Sequence, residues 1–301
     1  MHRPRGALAW LSLAALVAAC AKPPNSEVLS PDSLKVRVGQ IDAQALESAV
    51  KSAPRSLTAR TEQLVDALWQ AGCLGSNVET RPPRASSNPD VICSLPGRTT
   101  RRIVVVAHLD ADEEKAASPH WSGVALLPFM FRALSAAPRD HTFVFAAFGQ
   151  SPQRTARDYL TRLGSPYADD VRALIDLQDV QPTSIWFSSS DAGLRRDFVA
   201  ASLAVGRPLD TLRSFLPAAG ESRAGVPILT VAAEPPVRPG HKGPGVAAAP
   251  KTESTSLPAT ARFTAVFLAY ADETLRLRAE ALDAPPPTAT DKHDKSDKPA
   301  R

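Results

Sequence analysis

The 301-residue chain is poor in net charge: 35 Lys and Arg stand against 31 Asp and Glu, for a formal balance of +4. The basic residues are scattered, so a nucleic-acid-binding surface is not indicated. The chain also contains no internal repeat. Its N-terminal apolar run, residues 7–17, is too short to span a bilayer. Cysteine is scarce, with three in all, Cys20, Cys73 and Cys93. What is present is length enough for one large α/β domain with a real core. Proline is abundant, at 28 residues, many of them between 227 and 250 and after 284. Those two stretches read as loop or disordered tail.

Residues 1–20 read as a targeting segment. His2, Arg3 and Arg5 form a positive n-region ahead of the short apolar run. The segment ends Leu16-Val17-Ala18-Ala19-Cys20, which resembles a bacterial lipobox. Its small residues admit the signal peptidase and its cysteine is lipidated. The expectation is a lipoprotein anchored through Cys20, with Ala21 pointing to the periplasmic face of the outer membrane. The alternative is an ordinary secretory peptide with a chance cysteine. Residues 21–39, with Pro23, Pro24 and Pro31, read as a tether. Residues 40–283 read as the folded domain and 284–301 as a disordered tail. In an exported protein Cys73 and Cys93 could form a disulfide or remain two buried thiols.

The organising stretch is Arg102-Ile103-Val104-Val105-Val106-Ala107-His108-Leu109-Asp110. An unbroken β-branched run of this kind is typical of a strand buried on both faces. It ends on His-x-Asp, where a parallel strand delivers side chains to the carboxyl edge of its sheet. Helices are expected at 41–50, 57–71 (stopped by Gly72), 118–136, 155–163, 194–205 and 258–282. Strands are expected at 78–80, 89–95, 102–107, 141–148, 171–177, 184–188 and 225–231. Helices alternating with strands predict a three-layer α/β/α sandwich with a mixed, largely parallel sheet.

The order of these segments resembles the zinc exopeptidases that include bacterial leucyl aminopeptidase, aminopeptidase Y and glutaminyl cyclase. The likeness covers about residues 41–280. It rests on Ala53-Pro54-Arg55 before a helix, Ser94-Leu95-Pro96-Gly97 before the central strand, and His108-x-Asp110. Ser122-Gly123, Asp158-Tyr159-Leu160, Leu174-Ile175-Asp176-Leu177 and Gly225-Val226-Pro227 follow in order. The resemblance implies a site of two zinc ions, or of one as in the cyclases. A histidine, a bridging aspartate, a glutamate, an aspartate and a late histidine would hold the metals, and a second glutamate would act as general base. Carried over by position, the first histidine is His108 and its supporting aspartate is Asp110. The later aspartate is Asp176 and the late histidine is His241, whose loop lacks the usual following aspartate. The bridging aspartate falls on Pro119, and the paired glutamates fall on Ser151 (the base) and Pro152 (a ligand). Proline offers no ligand atom, and a serine hydroxyl does not take up a proton as a carboxylate does.

The expectation is therefore a peptidase-like pseudoenzyme with no cofactor, a lipid-anchored protein that binds a peptide or a protein partner. The competing expectation is a hydrolase with a rebuilt single-zinc site from His108 and Asp176, completed by His120 or His241. The acidic run Asp110, Asp112, Glu113 and Glu114 reads as a solvated loop. A serine nucleophile elbow at Gly149-Gln150-Ser151-Pro152-Gln153 is discounted, because Pro152 lacks the N–H that would stabilise an oxyanion. Trp121 reads as packing rather than as a ligand contact.

Overall fold

A computed structural model of the chain describes residues 35–81, 89–109, 121–149, 155–178, 180, 185–207, 209–214, 225–232 and 256–283. Helices α1 (Ala43–Lys51) and α2 (Leu57–Ala71) lead into strands β1 (Val78–Arg81), β2 (Asp90–Leu95) and β3 (Arg102–His108). Then come α3 (Trp121–Ser135), β4 (Thr142–Phe148), α4 (Ala156–Leu163) and β5 (Val171–Leu177). Strand β6 (Ile185–Ser189), α5 (Ala192–Ala204), β7 (Leu212–Ser214), β8 (Ile228–Ala232) and α6 (Leu257–Asp283) complete the described domain.

The eight strands form one sheet in the order β1-β2-β4-β3-β5-β8-β6-β7. The central strands β4, β3, β5 and β8 are parallel neighbours. The pairs β1–β2, β2–β4 and β6–β8 are antiparallel, so the sheet is mixed. The apolar run of β3 divides its side chains between two cores. Ile103, Val105 and Ala107 enter the larger core and Val104 and Val106 the smaller, as the two-residue period of a strand requires.

Helices α1, α2, α3, α5 and α6 all contribute to the larger core. Helix α4 covers the other face alone among the described helices, burying Ala156, Tyr159 and Leu163. Among the described helices, five therefore serve one face of the sheet and one serves the other. The sheet edges expected from sequence are found within a residue or two, except that 225–227 precede β8 rather than belonging to it.

Local signals explain most of the boundaries. Asp42, Ser56, Thr155 and Asp191 cap α1, α2, α4 and α5 by accepting backbone N–H groups. Gly72 ends α2 in the left-handed region at φ 104°. Cys73 and Cys93 are joined in a disulfide, with Cα atoms 6.4 Å apart, tying the end of α2 to β2. The last part of the expected tether is part of the fold. Val36 and Val38 pack on the core, and Gly39 donates to the Ala133 carbonyl of α3 at 2.7 Å. Among the described residues, no helix is long and apolar enough to cross a membrane.

Candidate functional site

Parallel strands point their carboxyl ends to one edge, and β3 and β5 bring His108 and Asp176 there. Val106 pairs with Asp176, so His108, two residues further on, shares a face with it. His108 Nε2 lies 2.9 Å from Asp176 Oδ1. Helix α4 places Tyr159 above the pair. Its hydroxyl donates to Asp176 Oδ2 at 2.9 Å and sits 3.2 Å from His108 Nε2. The Gln178 amide donates to the same Oδ2 at 2.9 Å. His108, Tyr159 and Asp176 are each 0% exposed. Stacking of Tyr159 on Phe148, 5.7 Å between ring centroids, fixes the phenol over the strands.

The electrostatics favour a charged carboxylate. Burial alone would push Asp176 up. The charge on His108 and hydrogen bonds from His108, Gln178 and Tyr159 outweigh that, and hold its carboxyl below the usual range.

The start of α3 locks the neighbouring end of β5. Ser122 Oγ accepts the backbone N–H of Val180 at 2.9 Å. A Cβ on Gly123 would stand 2.4 Å from the Leu177 carbonyl oxygen, so only glycine lets the helix come this close. The Ser-Gly of the sequence pattern is therefore a packing device here. Trp121 is buried too. Its indole N–H donates to the Ala49 carbonyl at 2.9 Å, and its ring carries the Arg60 guanidinium 5.8 Å from its centroid. Arg60 in turn donates to the carbonyls of Pro54 and Leu109. The Ala53-Pro54-Arg55 stretch is thereby fastened to the residue after His108.

The structure thus unites two of the sequence-derived positions, His108 and Asp176. Asp110, Pro119, His120, Ser151, Pro152 and His241 lie outside the described residues, as does Cys20. Two residues of the cluster, Tyr159 and Gln178, were not expected as site residues. A signal for Tyr159 was available, since it is the aromatic on the buried face of a short helix that follows a central strand.

Zinc fits this donor set poorly. Catalytic zinc takes three protein ligands and structural zinc four. The cluster supplies one imidazole and one carboxylate, already bonded to each other, with a phenol over both. Among the described residues no group of three or more His, Cys, Asp or Glu could hold a metal.

No protein-family model matches the sequence, and no curated protein matches it. Solved structures do match. A protein described as a zinc-dependent exopeptidase, from Bacteroides vulgatus, superposes with a TM-score of 0.56 at 13% identity, over 78% of this chain and 99% of that one. A glutaminyl cyclase from an Acidobacteriales bacterium gives 0.55 at 16% identity, over 80% and 96%. A leucine aminopeptidase precursor from Bacteroides thetaiotaomicron gives 0.54 at 15% identity, over 79% and 99%. The fold is that of the zinc-dependent exopeptidases, leucine aminopeptidases and glutaminyl cyclases, as the order of sequence segments implied.

Proposed function

We propose that this chain is a lipoprotein of the bacterial cell envelope, anchored through Cys20 to the periplasmic face of the outer membrane. Its aminopeptidase-like domain hydrolyses nothing and acts by binding a peptide or a protein partner. One observation carries the loss of catalysis. The two candidate ligand side chains among the described residues, His108 and Asp176, are bonded to each other beneath the Tyr159 hydroxyl and are wholly buried. A metal-activated water needs an open coordination position and a base beside it. The sequence supports the same reading from two separate loops, with proline at 119 and 152 and serine at 151. In the sequence these positions follow β3 and β4, which are neighbouring parallel strands.

The test is the metal content of the mature domain, purified without residues 1–20, beside hydrolysis of a panel of aminoacyl substrates. A folded, metal-free and inert domain is expected. Stoichiometric zinc with turnover abolished by His108→Ala would establish the rebuilt single-zinc hydrolase instead. The anchoring is tested separately, by metabolic labelling with a fatty acid. Label lost in Cys20→Ser is expected, and label retained in that variant would refute the anchor.

A further inference from the structure

The site face of the sheet continues past Asp176 as a polar row. Asp176 pairs with Thr230 of β8, and Thr230 pairs with Ser188 of β6. One step nearer the carboxyl edge, Ala232 of β8 pairs with Trp186 of β6, which pairs with Arg213 of β7. Paired residues share a face, so Ser188, Trp186 and Arg213 lie on the same side as Asp176 and His108. Phe187, between the first two, points the other way and packs on Phe198 of α5, 4.8 Å between centroids. The described helices α5 and α6 therefore serve the opposite face here.

Among the described residues, three groups on this patch are buried without hydrogen-bond partners: Trp186 Nε1, Ser188 Oγ and Arg213 Nε. Ser188 is 1% exposed, while Trp186 and Arg213 are each partly accessible. The Arg213 guanidinium carbon lies 5.8 Å from the Trp186 ring centroid. Buried polar groups are nearly always paired, and an unmade bond costs about 1–3 kcal/mol. By contrast Ser189, on the other face, spends its hydroxyl on the Ile228 carbonyl at 2.6 Å. The indole and the guanidinium can only donate, and a serine hydroxyl donates as well. What completes three donors, one of them cationic, is an anionic acceptor of carboxylate shape.

We propose that Trp186, Ser188 and Arg213 form a carboxylate-recognition subsite for a short peptide lying across the carboxyl edge of the sheet. The inference rests on the peptide-binding reading above and deepens it. Three strand spacings separate β5 from β7, about 14 Å in all, the reach of about four extended residues. A tetrapeptide with its carboxylate at Arg213 extends back toward Gln178.

The experiment uses the detergent-solubilised full chain, immobilised, with retention of tetrapeptide pools read by mass spectrometry. One pool has free carboxyl termini and no acidic side chains. A second is the same pool amidated. A third is amidated but contains glutamate. A carboxylate-bearing pool is retained about tenfold better than the neutral amides, in line with a charge-assisted bond of about 1.5–3 kcal/mol. The first and third pools tell a terminal carboxylate from a side-chain one. Trp186→Phe keeps an aromatic ring while removing the N–H donor with the pyrrole half of the indole, and Arg213→Gln removes the charge. Each abolishes the preference while leaving the melting curve in place. Equal retention of acid and amide pools, or an acid preference that survives Arg213→Gln, would overturn the subsite and leave peptide binding standing. Retention of no pool would overturn both the subsite and peptide binding, leaving a protein partner as the proposed function.

Discussion

Two buried His–Asp pairs sit at opposite ends of the same sheet. His108 and Asp176 meet at the carboxyl edge of β3 and β5, at 2.9 Å. His141, at the entry to β4, meets Asp272 of α6, also at 2.9 Å. Their surroundings differ. Asp272 also accepts the backbone N–H groups of Asp140 and His141, at 3.1 and 2.9 Å. It thereby staples α6 to the chain entering the sheet. Asp176 is held instead by side chains from three elements, among them a phenol that covers the pair. A pair made with backbone fixes architecture. A pair held by side chains at the carboxyl edge is the one that the proposed function takes for a former site. The His–Asp pairing alone does not separate these roles; the third partner does.

The largest effect is expected from Asp272→Ala, which strands two backbone donors and a buried imidazole. It should cost about 5 kcal/mol, read from the shift of a urea midpoint. Asp176→Ala removes the acceptor shared by His108, Tyr159 and Gln178, all side chains, and should cost about 3 kcal/mol. Equal losses would erase the contrast between the two ends. Each pair also has a glycine pressed against its strand. A Cβ on Gly97 would stand 2.3 Å from the His141 carbonyl, and one on Gly123 would stand 2.4 Å from that of Leu177. Alanine at either position should cost about 1–3 kcal/mol, since the obstacle is backbone in both cases.

Tyr159→Phe should cost about 1 kcal/mol, the net worth of its bond to Asp176. The smallest effect concerns acid. Asp176 is held below the ordinary carboxylate range, so its contribution is complete above that range and is lost as pH falls through its folded value. Asp176→Asn should therefore flatten the acid limb of the stability curve, measured by denaturation at several pH values. An unchanged limb would mean that the carboxylate gains nothing from its partners.

Much of this fold could be read from local chemistry. The β-branched run of β3, the stop at Gly72 and the serine and aspartate caps mark their elements without help from the rest of the chain. His108 and Asp176 were placed by strand ends and by the order of segments. Tyr159 stood out as the aromatic on the buried face of a short helix, but its role did not, because that depends on α4 crossing the sheet above β3 and β5, a tertiary event. Strand β7, only Leu212–Ser214, is too short to carry a period. Trp186 meets Arg213 through the β6–β7 pairing, and shares the face of Asp176 because β6 runs antiparallel to β8; a strand-helix alternation reveals neither. Gly123 was visible as part of a Ser-Gly pair, but its reason, the Leu177 carbonyl, was not.

The central claim is that His108 Nε2 is committed to Asp176 under Tyr159 and has no place for a metal. Its most direct test is a crystal soaked in zinc, with diffraction collected on both sides of the zinc absorption edge. The account predicts no anomalous peak beside His108 and a direct Nε2–carboxylate hydrogen bond in the refined map. A full-occupancy zinc peak within bonding distance of His108 and Asp176, with Tyr159 displaced, would contradict it.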